Sequence, residues 1–364
     1  MNKLKIKITT VTPVTIGSGN ELSPYADYVI DNNRIYYIDR KKLQQKIAKD
    51  DNLLESYVTG ISSKMDNNRS EFDLKRFLIN TVRTNIEDVS LFHCPLISQK
   101  QGSKLAIKSM LKTPFHEPYI PGSTIKGVLK TVLMYNWLSE KSSCEWIESF
   151  LSKCKDNRRE SDNEIKKMHE ELEKKFEYSE SHPQILQQIT DSNPISRNSV
   201  MVVDCYRDMP LRLECIPTGV ISEFELNLEG KSWQELAKEI NRYSYNTLFR
   251  DLEIIENIDD DNLNEYYNQL NDIHDLIDNA PESTAYLRIG CGKGYYFNSI
   301  SEAIYDYVKE DNQKFEIFEK FLERIYNTKR GKTFDLNIFP KTRLIIEKTQ
   351  ESLGWVKLEV RGEG

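Results

Sequence analysis

The sequence predicts an α+β protein of two blocks, each with β-rich ends and a large helical insertion. Strand patterns occur near the start of the chain and again in its second half, and helical patterns cover 50–95, 137–192 and 232–279. Two sheets of about four strands each, covered by helices on one face, satisfy this order. The length of 364 residues favours two domains, which we place at 1–192 and 193–364.

The N-terminal segment carries strand, hairpin and helix signals. In LKIKITTV, Leu4 and Ile8 alternate with lysines, which is typical of a half-buried strand. The segment DYVIDNNRIYYID has two apolar runs around 31–33, which predicts a hairpin. Asp39 offers an acceptor to the free N–H groups of a first helical turn, so we expect it to cap a helix over about 40–49.

The remaining elements follow in order. After the helical patterns of 50–95, residues 96–113 have an extended pattern, and EPYIPGSTIKGVLKTVLMYNWL is a loop that turns into a helix. In the second block, SVMVVDCYR and LRLECIPTGVISEFELNL predict strands, and a helix is expected over about 312–327. TRLIIEKT and GWVKLEV are predicted to close the chain as strands.

Composition points to a globular protein and excludes several classes. The chain has 38% apolar and 29% charged residues and no long apolar run, so we expect neither a membrane span nor a signal peptide. The six cysteines lack the close spacing of zinc knuckles or redox pairs. This predicts free thiols in a reducing cytoplasm and no metal site.

The net charge of −7 conceals a segregation along the chain. Residues 251–282 contain many acids and no lysine or arginine, whereas 100–130 and 329–343 are strongly basic. The positive segments can bind the phosphates of a nucleic acid while the acidic segment faces elsewhere. For any single cluster, a solvated face without a ligand is the simpler alternative.

A first candidate site is the turn in PYIPGSTIKG. Pro121 and Gly122 predict the turn, and Ser123 or Thr124 is expected to cap the following helix through its hydroxyl. The first-turn N–H groups would then point outward beside Lys126, which makes an anion site that fits a backbone phosphate. The spacing is not that of a nucleotide-triphosphate loop, and a capped helix without a ligand is the alternative.

A second candidate is RIGCGKGYYFNS, residues 288–299, which we call the glycine loop. The spacing of its three glycines does not match a dinucleotide-binding fingerprint. Glycines leave backbone N–H groups open to a close ligand, the lysine adds charge, and a tyrosine offers a ring to a base. A glycine-rich bulge between strands is the alternative. The candidate contacts in the loop are Gly290, Gly292, Lys293, Gly294 and Tyr295.

Residues suited to catalysis are few. The five histidines are scattered, and His116 precedes the predicted anion site, where it could cleave RNA by general acid–base action. No partner for it is evident in the sequence, and a structural role is the alternative. Asp27 is an early loop carboxylate that can either approach RNA or stabilise its own turn. We assign no catalytic residue.

Taken in order, several motifs resemble the RAMP (repeat-associated mysterious protein) subunits of CRISPR–Cas effector complexes. These motifs are TPVTIGSG, IPGSTIKG and the glycine loop. The late PKTR and the ending LGWVKL are similar to the subunit at the head of type III-A (Csm) complexes, near the 3′ end of the guide RNA. The resemblance extends over most of the chain, and the helical insertions carry little of it.

This resemblance implies two ferredoxin-like (RRM-like) RAMP domains with large helical insertions, guide-RNA (crRNA) binding and no cofactor. The implied partners are the repeated backbone subunit and the small helical subunit, with target RNA contacted indirectly. It also implies crRNA 3′-end maturation through host nucleases and a part in antiviral defence. The expected RNA contacts are Gly17, Ser18, Ser123, Thr124, Lys126, Lys130, Gly290, Gly292, Lys293, Gly294, Tyr295, Lys332 and Lys341.

Two functions stay open on the sequence. The first is a non-catalytic guide-RNA-binding subunit, whose contacts read the RNA backbone and not its sequence. The second is a metal-independent endoribonuclease of the same superfamily that processes CRISPR repeat RNA, with His116 as acid and base. The first is favoured, because the nuclease needs a partner for His116 that the sequence does not reveal.

Overall fold

The computed structural model describes most of the chain. The described residues are 2–65, 72–99, 104–140, 144–156, 170–171, 174–176, 186–206, 210–258, 260–298, 300–326 and 334–361. Among them, no helix has both the length and the apolar character that a membrane crossing requires. None of the six cysteines, all within these ranges, forms a disulfide.

Strands and helices are mixed along the chain, which confirms the predicted α+β class. The strands are β1 (Asn2–Thr10), β2 (Gly17–Leu22), β3 (Tyr28–Asp31), β4 (Arg34–Ile38), β5 (Ser90–Ile97), β6 (Ile107–Met110), β7 (Leu186–Ile189), β8 (Met201–Tyr206), β9 (Leu211–Cys215), β10 (Ile221–Leu228), β11 (Thr284–Arg288), β12 (Ile345–Ile346) and β13 (Trp355–Val360). The helices are α1 (Arg40–Ile47), α2 (Asp51–Met65), α3 (Leu74–Arg76), α4 (Gly122–Leu138), α5 (Cys144–Asp156), α6 (Trp233–Ile258), α7 (Asn264–Asp278), α8 (Ser301–Val308) and α9 (Asn312–Tyr326).

The first sheet has the strand order β11-β13-β1-β10-β7 and antiparallel pairing throughout. In its central strand β1, Ile6 lies opposite Phe224 of β10 and Val360 of β13. Ile6 and Ile8 are fully buried, as the alternating pattern of LKIKITTV predicts. Burial of each such side chain stabilises the fold by about 1.5–3 kcal/mol.

The second sheet has the order β2-β6-β9-β8-β5-β4-β3, and β12 also pairs with β8. Both sheets hold more strands than the sequence predicts, because the β3–β4 hairpin and β12 extend the second sheet and β7 extends the first. Each sheet takes strands from both sides of residue 192, so the boundary between 1–192 and 193–364 does not separate the sheets. Local patterns reveal strands but not their distant partners.

Two local predictions are confirmed in detail. The β3–β4 hairpin turns at Asn32 and Asn33, whose φ angles of 47° and 58° suit the tight turn of a two-residue hairpin. Asp39 caps α1, since its side chain accepts hydrogen bonds from the N–H groups of Lys41 and Lys42. These features depend on neighbouring residues only, which is why the sequence reveals them.

Helices α4, α6 and α7 cover the first sheet and share its core. Val132 of α4, Leu236 of α6 and Leu270 of α7 are buried in the same apolar cluster as Trp355 of β13. The helical pattern over 232–279 is thus two helices, and the helix predicted over 312–327 is α9. The prediction over 50–95 is wrong at its end, because β5 begins at Ser90. Much of 137–192 lies outside the described residues.

Candidate nucleic-acid interface

Three segments that lie far apart in the sequence meet at one end of the first sheet. The N–H of Cys291, in the glycine loop, donates to the carbonyl of Thr15 at 2.9 Å. Gly354 donates to the carbonyl of Pro13 at 2.9 Å and accepts from the N–H of Ile289 at 2.7 Å. The TPVTIGSG segment, the glycine loop and the LGWVKL segment therefore form a single junction.

The three glycines of the glycine loop have different surroundings. All have positive φ, at 70° for Gly290, 87° for Gly292 and 78° for Gly294. A Cβ at Gly290 would clash with the carbonyl oxygen of Thr15, and one at Gly292 would lie 3.1 Å from the Cβ of Leu353. A Cβ at Gly294 would meet no atom within 4 Å. Close packing therefore accounts for the first two, while Gly294 borders open space.

An ion cluster lies buried beneath the glycine loop. The guanidinium of Arg288 donates to the carbonyl of Leu353 at 3.0 Å and lies 3.5 Å from the carboxylate of Asp251. Arg343 is 2.9 Å from the other oxygen of that carboxylate. Two buried guanidinium groups thus share one acid. The expectation that the acidic segment 251–282 faces elsewhere is wrong at its first residue, since Asp251 points inward to neutralise these arginines.

Positive charge predominates in this cluster. The guanidinium of Arg250 is buried and lies 3.8 Å from the ring centroid of Tyr305. Burial raises the pKa of the Glu302 carboxyl well above its ordinary value, which disfavours its charged form. Of the three buried guanidinium groups among the described residues, those of Arg288 and Arg343 share the carboxylate of Asp251, and that of Arg250 pairs with Glu253 at the exposed margin. The region beneath the loop is electropositive in a chain of net charge −7.

Lys293 projects from the glycine loop and is half-buried. Burial lowers its pKa, and the positive charge of Arg288 lowers it further. Both effects disfavour the ammonium form, and an anion placed beside the amine would counteract both. Lys293 therefore places a half-buried amine at the loop, and its contact with a phosphate stays a prediction.

The predicted cap of α4 is wrong, although the helix forms where expected. The helix begins at Gly122 with Pro121 as its N-cap, and neither Ser123 nor Thr124 caps it. The N–H of Gly122 instead donates to the carboxylate of Asp191 at 2.8 Å. The helix starts two residues earlier than a cap by Ser123 requires. Asp191 is 69 positions away in the chain, so no local pattern predicts this contact.

The lysines predicted to contact RNA outside the glycine loop differ in their exposure. Lys126 is exposed in the second turn of α4, and Lys130 is half-buried one turn later. Lys341 is exposed between α9 and β12. Lys332 lies outside the described residues. Lys126 and Lys341 are thus accessible to a ligand from solvent, and their contact with RNA stays a prediction.

Gly17 and Ser18 extend the junction along β2. Gly17 is exposed and pairs with Met110 of β6, next to an irregularity in the strand register. The hydroxyl of Ser18 donates to the carbonyl of Ser109 at 3.0 Å and accepts from the N–H of Asn20 at 3.2 Å. Ser18 therefore holds the strand edge in place, and a Cβ at Gly17 would meet no atom within 4 Å.

The motifs that form the junction all lie within the part of the chain that matches a known protein family. The model of the RAMP superfamily matches residues 7–358. This chain belongs to the RAMP superfamily. A chain of similar fold occurs in the cryo-EM structure of a Csm–crRNA–target RNA ternary complex of a type III-A CRISPR–Cas system. It has a TM-score of 0.68 and 17% identity, and the alignment covers 98% of this RAMP protein and 100% of that chain.

Other relatives of this RAMP protein are named Csm5. The crystal structure of T. onnurineus Csm5 has a TM-score of 0.62 and 17% identity, over 96% of this chain and 99% of that one. The CRISPR system protein Csm5 of Methanocaldococcus jannaschii is 31% identical over 137 residues, 37% of this chain and 31% of its own length. Csm5 of Streptococcus thermophilus is 24% identical over 135 residues, 36% and 37% of the two lengths. The sequence matches thus span about a third of each curated relative, and the structural likenesses confirm the predicted RAMP fold.

The two predicted anion sites of this RAMP protein lie at opposite edges of the first sheet. The glycine loop follows the edge strand β11, whereas α4 begins against the other edge strand, β7, where a Cβ at Gly122 would clash with the carbonyl of Ile189. Neighbouring strands are about 4.8 Å apart, so four spacings separate the sites by on the order of 19 Å across the sheet. They can therefore contact different phosphates of one strand, but not the same phosphate.

The two residues considered for catalysis, His116 and Asp27, lie in turns, where they contact neighbouring side chains or backbone. His116 has a φ of 64° within a turn, and its ring centroid lies 5.9 Å from that of Phe92. Asp27 accepts from the N–H of Ser23 at 2.8 Å and from Arg40 at 2.7 Å, which matches the turn-stabilising alternative. Over the described part of the chain, no group of three or more His, Cys, Asp or Glu side chains is placed to hold a metal ion.

Sequence reasoning missed the residues that neutralise and support the loop. Arg288 and Arg343 lie next to recognised motifs, but no pattern in the sequence indicates that they are buried. Arg250 and Asp251 lie within a helical pattern that does not distinguish them from their neighbours. A buried arginine has no periodic signature of its own. Its partner, here Asp251, is 37 or more positions away, so the pairing depends on the tertiary fold.

Proposed function

We propose that this chain is a guide-RNA-binding subunit of a type III-A CRISPR effector complex and not itself a nuclease. The supporting likenesses are its RAMP membership, its similarity to Csm5 proteins and its fold similarity to a chain of a Csm–crRNA–target RNA complex. The observation that carries the proposal is the electropositive cluster under the glycine loop. A net-negative chain that concentrates buried guanidinium groups beneath a loop with an exposed glycine, Gly294, is suited to an anion at that place.

The bound anion in this proposal is the RNA backbone. Phosphates would contact the glycine loop at Gly294 and Lys293, exposed Gly17 beside the junction, and Lys126 on α4. Contacts of this kind position a strand without reading its bases, as a subunit that serves many guides requires. Lys341 extends the positive surface on the loop side, since it is two residues from the buried Arg343.

The place of the subunit in the complex is also part of the proposal. The similarity to Csm5 proteins and the motifs PKTR and LGWVKL support a location on the 3′-end side of the crRNA. There the chain would cap the repeated RAMP backbone subunit, lie beside the small helical subunit and support 3′-end maturation by host nucleases in the cytoplasm. Target RNA would be contacted indirectly, within antiviral defence.

Affinity purification from the native host tests this proposal. The tagged chain is expected to co-purify with small RNAs that carry repeat-derived sequence and with several partner subunits. Recovery of the chain without RNA or partners would contradict the proposal. The purified chain is also expected to leave repeat RNA intact in EDTA. Cleavage there that His116→Ala abolishes would instead establish the endoribonuclease alternative.

A further inference from the structure

Four aromatic rings form a continuous group beside the glycine loop, which we call the aromatic platform. Its members are Tyr295, Tyr326, Phe334 and Phe339. The ring centroid of Tyr326 lies 5.2 Å from that of Tyr295 and 5.1 Å from that of Phe339, and Phe339 also contacts Tyr295 at 5.1 Å and Phe334 at 5.2 Å. These rings come from the loop, the end of α9 and the segment before β12, so tertiary structure assembles the platform.

Only one ring of the platform is strongly exposed. The side chain of Tyr326 is 45% exposed, whereas Tyr295, Phe334 and Phe339 are half-buried. The Tyr295 hydroxyl also lies 2.6 Å from that of Ser301, which anchors this ring in the fold. The stacking role expected of Tyr295 therefore fits the adjacent ring of Tyr326 better. Tyr326 offers ring surface to solvent, and the packed rings behind it limit its freedom before any ligand arrives.

We propose that Tyr326 stacks on an unpaired nucleobase of single-stranded RNA whose backbone lies on the glycine loop. This inference rests on the proposed RNA-binding function. A tyrosine face stacks on any base, so the contact suits a subunit that binds guides of many sequences. The platform touches the loop directly through Tyr295, which follows Lys293 and Gly294 in the chain. Ring and phosphate sites are thus adjacent.

The surroundings favour RNA over a protein partner. Among the described residues, none of the other strongly exposed apolar side chains belongs to the glycine loop, α9 or the segment before β12. Within the described elements that form the platform, Tyr326 is therefore the single strongly exposed ring, whereas a protein interface requires a wide apolar surface. The neighbouring ion cluster is positive, as a phosphodiester chain requires.

Binding of a fluorescent single-stranded RNA tests the inference, with affinity measured for the intact chain and its variants. Tyr326→Ala is expected to weaken binding roughly 5- to 150-fold, the range for loss of one stacked base. Tyr326→Phe, which keeps the ring, should bind like the wild type. Tyr326→Leu keeps apolar packing and should bind like Tyr326→Ala. Phe249→Ala removes a similarly exposed ring on α6 and should have no effect.

An RNA of the same length with abasic sites separates stacking from backbone contact. The wild type should bind it more weakly, and Tyr326→Ala should cause no further loss. If the wild type binds no RNA, the proposed function itself fails. If the wild type binds RNA and a folded Tyr326→Ala binds equally tightly, the stacking inference is overturned while the function stands. Loss of partner subunits with unchanged RNA affinity would also overturn it, in favour of protein docking.

Discussion

Gly290, Gly292 and Gly354 allow three backbone segments to approach more closely than any side chain would permit. At Gly290 and Gly354 a Cβ would clash with a carbonyl oxygen, and both residues have a positive φ that L-residues rarely adopt. The alternative of a structural turn is therefore well supported for Gly290. Ligand contact is better placed at Gly294, where the same backbone geometry borders open space.

We expect Gly290→Ala to destabilise the fold much more than Gly294→Ala. The second change carries only the cost of a positive φ, about 1–2 kcal/mol. The first adds a clash with the carbonyl of Thr15, so several kcal/mol are expected in total. Urea unfolding of both variants measures the difference. Equal losses would mean that the loop can move away from Thr15 at little cost.

At the scale of elements, helix α4 shows how a distant acid replaces a local cap. The carboxylate of Asp191 accepts the N–H of Gly122, so the helix N-terminus already has an anionic partner. Its remaining first-turn N–H groups and the exposed Lys126 keep it available to phosphate. This edge of the sheet is consequently a less positive site than the glycine loop.

Asp191→Ala should lower the free energy of unfolding by about 1 kcal/mol, the usual cost of removing a capping acceptor. Ser123→Ala should change it by less than about 0.5 kcal/mol, because Ser123 is exposed and does not cap the helix. Chemical denaturation of the pair measures this. A larger loss in Ser123→Ala than in Asp191→Ala would restore the serine cap and contradict the structure.

The packing of α7 on α6 should make stability depend on pH. Burial lowers the pKa of His274, its Nε2 is buried without a hydrogen-bond partner, and its ring lies 4.1 Å from that of Tyr245. Asp275 and Asp278 oppose the shift without reversing it. The unfolded chain thus binds the proton more readily, and stability should fall as pH drops below about 6.5.

His274→Phe removes this titration while it keeps a ring against Tyr245. We expect the loss of stability between about pH 7.5 and pH 5 to be smaller in this variant than in the wild type. Urea midpoints at the two pH values provide the measurement. An equal loss of stability between the two pH values in His274→Phe and in the wild type would show that protonation of His274 does not cause the pH dependence.

At the scale of the whole molecule, long-range pairing creates both the fold and the candidate site. Strand β1 pairs with β10 and β13, and the junction joins Thr15, Cys291 and Gly354. The sequence alone revealed what neighbouring residues decide: the strand at LKIKITTV, the hairpin at 31–33 and the cap at Asp39. It did not reveal which strands pair, or that Asp251 neutralises two arginines, because those relations depend on contacts between distant segments.

The shared role of Asp251 predicts a large effect of a small change. Asp251→Asn leaves the buried guanidinium groups of Arg288 and Arg343 without their common anion, which should cost about 3–5 kcal/mol. Glu253→Gln, at an acid that is 42% exposed, should cost no more than about 1 kcal/mol. Thermal and urea unfolding measure the loss of stability in both variants. Near wild-type stability in Asp251→Asn would contradict the buried ion cluster.

Guide-RNA retention in a reconstituted type III-A complex tests the central claim most directly. Complexes carrying Lys126→Ala and Lys293→Ala together should bind guide RNA more weakly than wild type, with a difference that shrinks as salt rises, because lost phosphate contacts are electrostatic. Lys320→Ala, at an exposed lysine of α9 paired with Glu316, is the control and should change little. Full retention of mature guide at every salt concentration by the double variant would contradict the assignment of these two sites to the RNA backbone.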